Sequence, residues 1–383
     1  MKLAYFVHDL NDPAVHRRVR MLHACAAEVA LLGFHRGSAP KRVEGVVPVP
    51  LGRTEDARLV SRTLSVVRAG ASAVLRRKAL DGAAVVMARQ LETLVLAALA
   101  RRLHAPQAAL VFECLDIHRL MTNRGLAGRL LRLAEGRLLR GCETLVVSSP
   151  VFVEEHFARV YETLPRVTLF ENKVLTAELP DAAAPVRARL APPADGPPWC
   201  IGWFGMIRCQ RSLDLLASLA REAEGRVEVI IRGRVAYNVL PDFDRIVAQT
   251  PNLRFEGPYD RQRDLARIYG EVHFLWGVDF YEAGANSAWL LPNRLYEGGL
   301  FGAVPVALRN VAVGSWLSRY GAGVLLDDDI APALHGFFAA LTPSAYAALR
   351  RTWTGLPVSA FVYDEADCRR LAATLLPQAD RLQ

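Results

Sequence analysis

The sequence predicts an α/β protein with two tandem Rossmann-like domains, each containing a doubly wound parallel sheet. Three observations support this fold class. The chain is 383 residues long, which exceeds the usual size of one domain. Short apolar runs alternate with segments of helical period, as in βαβ units whose parallel sheet is covered on both faces. One proline-rich stretch separates two such series.

The first series of strands lies in residues 1–180, which we expect to form the N-terminal domain. Its strands are predicted in KLAYFV (2–7), EVALLGF (28–34), AAVVMAR (83–89), ALVFEC (109–114), ETLVVSS (143–149) and RVTLFEN (166–172). Helical patterns lie between these runs, for example at 14–27 and 124–140.

A change of composition at 181–198, DAAAPVRARLAPPADGPP, predicts a linker. A second domain follows at 199–355, with strands predicted in WCIGWFG, VEVIIRG, LRFEGP, VHFLWGV, AVPVALR and GVLLDD. The last segment, 356–383, is predicted to be helical and to pack back on the N-terminal domain. Ligands of such sheets bind at the carboxyl ends of the strands, here in a cleft that we expect between the facing domains.

Composition and charge narrow the possible functions. No apolar run approaches the roughly 20 residues that span a bilayer, and the N-terminus lacks a signal-peptide pattern, so we expect a cytoplasmic protein. The six scattered cysteines predict free thiols.

The net charge is +8, and all of the excess positive charge lies in residues 1–195. This charge predicts an anionic partner. Nucleic acid is not expected, because there is no aromatic and basic interleaving and no helix-turn-helix pattern.

The stretch IGWFGMIRCQRSLDLLASLA (201–220) predicts a diphosphate site. A strand is predicted to end at Gly205, Arg208 and Arg211 lie in the next loop, and a helix is predicted from about Ser212. Glycine permits close backbone approach, a helix N-terminus offers unpaired N–H groups, and arginines supply forked donors. The alternative is an ordinary turn with solvated arginines.

The stretch LLPNRLYEGGLFGAVPVAL (290–308) places Glu297 near the start of a predicted helix. Pro292 and Asn293 would begin this helix, and Gly302 would end it. A carboxylate near a helix N-terminus is favoured by the helix dipole. It can also accept two hydroxyl hydrogen bonds, as the vicinal diol of a ribose requires. Both interpretations stay open at this point.

These segments resemble the two-domain GT-B glycosyltransferases. PNRLYEGGLFGAVPVA is similar to the donor-site segment of that family, and WFGMIR, IIRGR, NLRFEGPYD and DLARIYGEVHFLW precede it in a similar order. The first half resembles bacterial exopolysaccharide glycosyltransferases of the succinoglycan and xanthan types. The resemblance implies a nucleotide-diphosphate-sugar donor and a saccharide acceptor, which we expect to be linked to a lipid.

The resemblance also implies roles for residues of the second half. Glu297 would hold the ribose hydroxyls, and Gly205 with Arg208 would face the diphosphate. The other donor-binding candidates are Arg232, Gly233, Asn286, Asn293 and Arg294. Many retaining relatives carry two glutamates eight positions apart, whereas the earlier position here is Trp289. An inverting transferase is therefore favoured, with a retaining transferase or a non-catalytic nucleotide-sugar-binding protein as alternatives.

The stretch LVFECLDIHRLM (110–121) contains the catalytic candidates. An inverting transfer needs a base that takes the proton of the acceptor hydroxyl. Asp116, after a buried strand, would suit that base, as its counterpart does in the similar region of xanthan-type glucuronosyltransferases. Glu113 and His118 are the other candidates. The alternative for Asp116 is a helix cap.

The stretch HDLNDPAVHRRVRML (8–22) predicts the acceptor side, because it follows the first strand and opens a helix with Asp12 as its cap. The acceptor-side candidates are His8, Asp9, Arg17 and His118. For Arg18 and Arg20 we expect a solvated basic face.

The stretch LVSRTLSVVRAGASAVLRRKAL (59–80) predicts a basic amphipathic helix. Such a helix could rest on anionic lipid, or it could cover the sheet with an exposed polar face. Together with the positive charge of the first half, this helix favours a peripheral protein at the inner face of the cell membrane.

No D-x-D motif lies in a suitable loop, and LLDDDI (325–330) predicts a solvated turn. We therefore expect transfer without a metal or cofactor.

Overall fold

The computed structural model divides the chain into two compact units. The residues that it describes are 2–24, 28–54, 77–117, 119–123, 125–179, 193 and 196–376. The first unit comprises Met1–Glu171 and Asp364–Gln383, and the second comprises Asn172–Tyr363. The boundary therefore precedes Asn172 and does not lie at residue 180 as predicted. Most of the predicted linker and residues 59–76 of the predicted basic helix lie outside the described residues.

Within the described part of the first unit, seven parallel strands form one sheet in the order β3-β2-β1-β4-β5-β6-β7. The strands are β1 (Lys2–Val7), β2 (Glu28–His35), β3 (Val49–Arg53), β4 (Val85–Arg89), β5 (Ala109–Cys114), β6 (Thr144–Val147) and β7 (Arg166–Leu169). The helices are α1 (Pro13–Ala24), α2 (Arg77–Leu80), α3 (Leu91–His104), α4 (Arg119–Thr122), α5 (Leu126–Leu139), α6 (Pro150–Phe152) and α7 (Ala158–Val160). A π-helical turn, Val153–Phe157, joins the last two.

The strands at the centre of this sheet are enclosed. Every residue of β4 and β5 is buried, and so are five of the six residues of β1. Such continuous apolar runs are typical of parallel strands with helices on both faces, and burial of each large side chain contributes about 1.5–3 kcal/mol. As predicted, Asp12 caps α1, because its Oδ1 accepts a hydrogen bond from the backbone N of Ala14 at 2.8 Å.

Within the described part of the second unit, six parallel strands form a sheet in the order β11-β10-β9-β12-β13-β14. The strands of this unit are β8 (Val174–Leu175), β9 (Trp199–Ile207), β10 (Val227–Val235), β11 (Leu253–Phe255), β12 (Phe274–Trp276), β13 (Val304–Leu308), β14 (Val324–Leu326) and β15 (Val362–Tyr363). β8 and β15 pair with each other apart from this sheet. The helices are α8 (Gln210–Glu222), α9 (Phe243–Gln249), α10 (Arg261–Gly270), α11 (Asn286–Trp289), α12 (Asn293–Phe301), α13 (Ala312–Tyr320), α14 (Ile330–Ala340) and α15 (Pro343–Thr354).

After β15 the chain returns to the first unit. There α16 (Glu365–Ala373) contacts α1, and the Oγ1 of Thr144 donates to the carbonyl of Thr374 at 3.5 Å. The C-terminal helix is thus part of the N-terminal unit.

The strands predicted in both halves are all present, with small shifts at their ends. β9 continues beyond its predicted end at Gly205, because it pairs with β10 as far as Ile207 and Val235. α8 consequently begins at Gln210 and not near Ser212. α12 begins after Pro292 as predicted, and it ends at Gly302, whose φ of 85° lies in the left-handed region that favours glycine.

Two glycines bring the backbones of β9 and β10 unusually close together. Gly205 and Gly233 face each other in register, with φ values of 116° and 140°. A Cβ atom at Gly233 would lie 1.8 Å from the carbonyl oxygen of Gly205. The backbone N of Gly233 donates to the carbonyl of Gly257 at 2.9 Å. A side chain at position 233 would therefore displace backbone.

We predict that Gly233→Ala lowers the free energy of unfolding by about 3 kcal/mol, because it combines positive-φ strain with a backbone clash. The measurement is the urea midpoint of the second unit's unfolding transition. Gly225→Ala is the matched control, since Gly225 also has a positive φ, of 78°, but its Cβ would meet nothing within 4 Å. The control should cost about 1 kcal/mol. Equal losses for the two variants would contradict the proposed clash.

Candidate functional site

The predicted donor-side residues lie where strands of the second sheet end. Because the strands are parallel, the carboxyl ends of β9, β12 and β13 share one edge of the sheet. A pocket at this edge is lined by residues that follow β12 and by the start of α12, among them Asp279, Ser287, Pro292 and Arg294. The second unit therefore has a small pocket with both polar and apolar lining residues at the edge where such folds bind ligands.

Two arginines at this edge are held against aromatic rings. The guanidinium of Arg208 lies 4.4 Å from the ring centre of Tyr281, and that of Arg211 lies 4.2 Å from the ring centre of Phe280. The Sγ of Cys209 accepts hydrogen bonds from the backbone N of Ser212 and of Phe280, both at 3.4 Å, and so ties the two loops together. A cation–π contact positions a guanidinium without neutralising its charge. Both arginines thus remain cationic beside the N-terminus of α8.

Arg294 is the cation that lies in the pocket itself. Its Nε is buried, and no atom of the described residues accepts a hydrogen bond from it. A buried donor without an acceptor costs about 1–3 kcal/mol unless a ligand or water satisfies it. Arg294 is also in the first turn of α12, where free N–H groups favour an anion. This position suits one phosphate group.

Glu297 lies one turn after Arg294, on the same side of α12. Its side chain is 4% exposed, and both carboxylate oxygens already accept hydrogen bonds: Oε1 from Arg261 Nε at 2.6 Å and Oε2 from the Tyr269 hydroxyl at 3.1 Å. Arg261 also binds Glu178 at 2.9 Å. Burial, reinforced by Glu297, raises the pKa of Tyr269 well above its ordinary value. The ribose role of Glu297 stays a prediction.

Arg232 has acidic partners. The resemblance implies that it borders the nucleotide, and its buried guanidinium is paired with Glu256 and lies 3.5 Å from Glu271. The side chain joins β10 to the residues that follow β11 and α10, and its donor role remains a prediction. Asn293 is exposed at the start of α12, and Asn286 is buried at the start of α11. Their donor roles remain predictions.

In the first unit, candidate acceptor residues follow three adjacent strands. His8 follows β1, Gln90 follows β4, and Asp116 lies two residues beyond β5. Asp116 is exposed, and its Oδ1 accepts a hydrogen bond from the Gln90 side-chain amide at 3.0 Å. An exposed carboxylate that is oriented by an amide is well suited to accept a proton.

His8 is a neutral imidazole at neutral pH. Burial lowers its pKa to about 4, although the carboxylate of Asp12, 3.5 Å from its Nε2, acts in the opposite direction. Asp9 shapes the loop, because its Oδ1 accepts from the backbone N of Asn11 at 3.0 Å. Arg17 is half-buried on α1, and His118 lies outside the described residues.

Glu113 is not a candidate base, contrary to the sequence-based prediction. It is completely buried on β5, with Arg18 Nε 2.6 Å from Oε1 and Arg89 Nε 2.8 Å from Oε2. The Tyr5 hydroxyl donates to the same carboxylate. Burial alone would raise the pKa of Glu113, but the charges of Arg18 and Arg89 lower it to about 2. An enclosed and ionised carboxylate of this kind holds the strands together.

The predicted solvated face of α1 is also wrong. Arg18 is buried, and its guanidinium lies 4.6 Å from the ring centre of Phe170 in addition to its pair with Glu113. Arg20 binds Glu44 through Nε at 2.6 Å and Nη2 at 2.9 Å. Both arginines are fixed by acidic partners that the helical pattern of α1 does not reveal.

The part of the chain that the structure describes shows no metal-binding cluster, no membrane-spanning helix and no disulfide bond. No group of three or more His, Cys, Asp or Glu side chains there could hold a metal ion. No helix there is long and apolar enough to cross a membrane. The described cysteines are free thiols, whereas Cys25 lies outside the described residues.

Sequence reasoning missed several residues of this site. Phe280 and Tyr281, which support the arginines, follow the predicted strand VHFLWGV, and Gln90 directly follows AAVVMAR. Their positions after predicted strands could have identified them as candidate site residues. Arg261 and Glu178 gave no such signal, because they meet Glu297 only through tertiary packing.

The two parallel-sheet units have the GT-B fold, as predicted. The fold is similar to sucrose-phosphate synthase from Thermosynechococcus elongatus, with a TM-score of 0.71 and 14% identity over 97% of this chain and 98% of that chain. It is similar to Anabaena Alr3699/HepE in complex with UDP and glucose, with a TM-score of 0.66 and 12% identity over 97% and 98%. It is also similar to WaaG, a glycosyltransferase involved in lipopolysaccharide biosynthesis, with a TM-score of 0.60 and 10% identity over 94% and 97%.

A sequence relative shows the family. The succinoglycan biosynthesis protein ExoL of Rhizobium meliloti (strain 1021) is 42% identical over 387 residues, which cover 99% of this chain and 95% of ExoL. No family model matches the chain. The chain therefore belongs to the ExoL family, and the predicted resemblance to proteins of the succinoglycan type is confirmed.

We predict that Glu113→Gln lowers the free energy of unfolding by about 3–5 kcal/mol, because Arg18 and Arg89 lose the buried carboxylate that both of them bind. Since the folded pKa of Glu113 lies below its unfolded value, this stabilisation is present above the ordinary pKa and is lost as the pH falls towards 2.

The measurement is urea unfolding at a series of pH values from about 7 to 3. The wild type should lose more stability over this range than Glu113→Gln does. Glu155→Gln, which removes an ion pair with Arg159 near the surface, is the control and should change stability by less than about 1 kcal/mol. Parallel pH profiles for wild type and Glu113→Gln would disprove the role of this carboxylate.

Proposed function

We propose that the protein transfers a sugar from a nucleotide-diphosphate-sugar to a saccharide carried on a lipid, with inversion at the anomeric carbon. One observation supports the donor side. Arg294 lines the pocket at the ends of β12 and β13, and its buried Nε has no acceptor among the described residues. HepE, a protein of the same fold, was solved with UDP-glucose. A diphosphate group would satisfy the unpaired donor of Arg294.

The cations of the second unit have a defined task in this reaction. As the bond between the sugar and the diphosphate breaks, negative charge accumulates on the leaving diphosphate. Arg208, Arg211 and Arg294 stabilise that charge, together with the N-terminal N–H groups of α8 and α12. Glu297, one turn further along α12, accepts the hydrogen bonds of the ribose hydroxyls. We propose that these side chains replace a metal ion.

The base of the reaction belongs to the first unit. Asp116, held by the amide of Gln90, takes the proton of the acceptor hydroxyl while that oxygen attacks the anomeric carbon. The new bond forms on the face opposite the leaving diphosphate, and the configuration is therefore inverted. His8 remains neutral above about pH 5, because its pKa is lowered to about 4, so its charge does not change over the physiological range.

The charge distribution supports a location at a membrane. The excess of positive charge lies in the half of the sequence that carries the acceptor-side candidates. We propose that the protein works peripherally at the inner face of the bacterial cell membrane, where a lipid-carried saccharide would be presented. An anionic surface attracts such a charge at a gain of about 1 kcal/mol per cation near it.

We predict that Arg294→Gln weakens UDP binding roughly 10- to 100-fold, because a charge-assisted hydrogen bond contributes about 1.5–3 kcal/mol. Glu297→Ala should weaken binding of UDP more than binding of 2′-deoxy-UDP, since the deoxynucleotide keeps only one of the two ribose hydroxyls. Titration calorimetry measures both effects, and Arg319→Gln, an exposed arginine of the same unit, is the control. Unchanged UDP affinity of Arg294→Gln would refute the diphosphate site.

We predict that Asp116→Asn lowers turnover by about 10²- to 10⁴-fold while UDP affinity stays at the wild-type value. Asp328→Asn, in an exposed turn, is the matched control. Turnover is measured with a radiolabelled donor, and NMR of the product reports its anomeric configuration. Near-normal turnover of Asp116→Asn would remove this residue as the base, and a retained configuration would replace the inverting mechanism with a retaining one.

A further inference from the structure

The outer surfaces of α3 and α5 carry large apolar side chains in contact with solvent. On α5, Leu126, Leu130 and Leu133 are 77%, 66% and 55% exposed. On α3, Val95, Leu99 and Leu103 are 44%, 42% and 49% exposed. We call these six residues the leucine face. Isolated exposed leucines are common, but a contiguous set marks an interaction surface.

The spacing and topology make this face continuous. Positions 126, 130 and 133 follow the helical period, and so do 95, 99 and 103, so each set forms one stripe. α3 connects β4 to β5, and α5 lies in the connection from β5 to β6. These strands are neighbours in that order, and right-handed crossovers place both helices on the same side of the sheet. The two helices also contact each other.

Arginines are interleaved with the leucine face. Arg102 on α3 and Arg129, Arg137 and Arg140 on and after α5 are exposed. Among the described residues, none of the four has a carboxylate within ion-pair distance. On a helix of 3.6 residues per turn, Arg129 and Arg137 fall beside Leu126, Leu130 and Leu133. The face is therefore both apolar and cationic.

The inner side of α5 holds the helix in place without these leucines. Glu135, which is buried, binds His156 Nε2 at 2.9 Å and accepts a hydrogen bond from the Tyr161 hydroxyl. Leu139 and Gly128 are buried on the same side. The exposed leucines are thus not needed to hold α5 against the described part of the unit.

We propose that the leucine face docks the protein on an anionic lipid bilayer. The leucines enter the boundary between head groups and acyl chains, while the four arginines pair with lipid phosphates. A second copy of the chain fits less well, because two such faces in contact would oppose cation to cation. The inference rests on the proposed function in one respect, namely that the acceptor is carried on a lipid. It assigns docking to α3 and α5, whereas the sequence-based prediction for 59–80 falls mostly outside the described residues.

The test is flotation of the full-length protein with vesicles of phosphatidylcholine, with or without phosphatidylglycerol. Two triple variants are compared with the wild type: Leu126→Gln/Leu130→Gln/Leu133→Gln and Arg129→Gln/Arg137→Gln/Arg140→Gln. The matched control is Arg263→Gln/Arg319→Gln/Arg351→Gln, which removes the same charge from exposed positions of the second unit. We expect the wild type and the control to bind phosphatidylglycerol vesicles, and each face variant to bind them at least about tenfold more weakly.

UDP calorimetry on each variant separates docking from folding and from the proposed function. Face variants that bind UDP normally but no longer float establish the docking surface. A wild type that floats but binds no nucleotide contradicts the proposed function and leaves docking intact. The docking proposal is overturned if face variants float as well as the wild type. It is also overturned if the wild type ignores vesicles and sedimentation shows a dimer that the leucine variant dissolves.

Discussion

Because the strands of each sheet all run in the same direction, the loops that follow them emerge together at one edge of that sheet. This constraint brings Arg208 and Arg294 to the same edge, although 86 positions separate them in the chain. It likewise places His8, Gln90 and Asp116 after neighbouring strands of the first sheet. Each half-site is thus assembled by strand direction, and the helices between strands set only the spacing.

Local patterns were sufficient to predict the strands and the ends of the key helix. Runs such as KLAYFV and ALVFEC coincide with β1 and β5, and Gly302 ends α12 as expected. β3 was not predicted, because its sequence VPLGR contains a proline and a glycine, which are unfavourable in strand interiors and tolerated at this edge position. Short-range sequence patterns therefore predict most of the strands and helices of the fold.

Charged side chains were harder to predict, because their partners come from distant parts of the chain. Arg18 has the spacing of an exposed helical residue, yet it is neutralised by Glu113, 95 positions away. Arg232 has the right position for a ligand contact, and its guanidinium is paired with Glu256 and lies 3.5 Å from Glu271. Position relative to a strand end indicates where a residue lies, whereas its electrostatic neighbours decide what it can do. Only the three-dimensional arrangement supplies those neighbours.

The aromatic support of Arg208 and Arg211 has a consequence for how ligands are discriminated. Phe280 and Tyr281 fix the two guanidinium groups without supplying opposite charge, so neither ring has to be displaced as a counterion when an anion arrives. The attraction between the two guanidinium groups and an anionic ligand is therefore strongest in dilute buffer, and dissolved salt weakens it by screening. A doubly charged ligand gains more from such a site than a singly charged one. Under the proposed function, ionic strength is thus a means of controlling which nucleotide stays bound after the sugar has left.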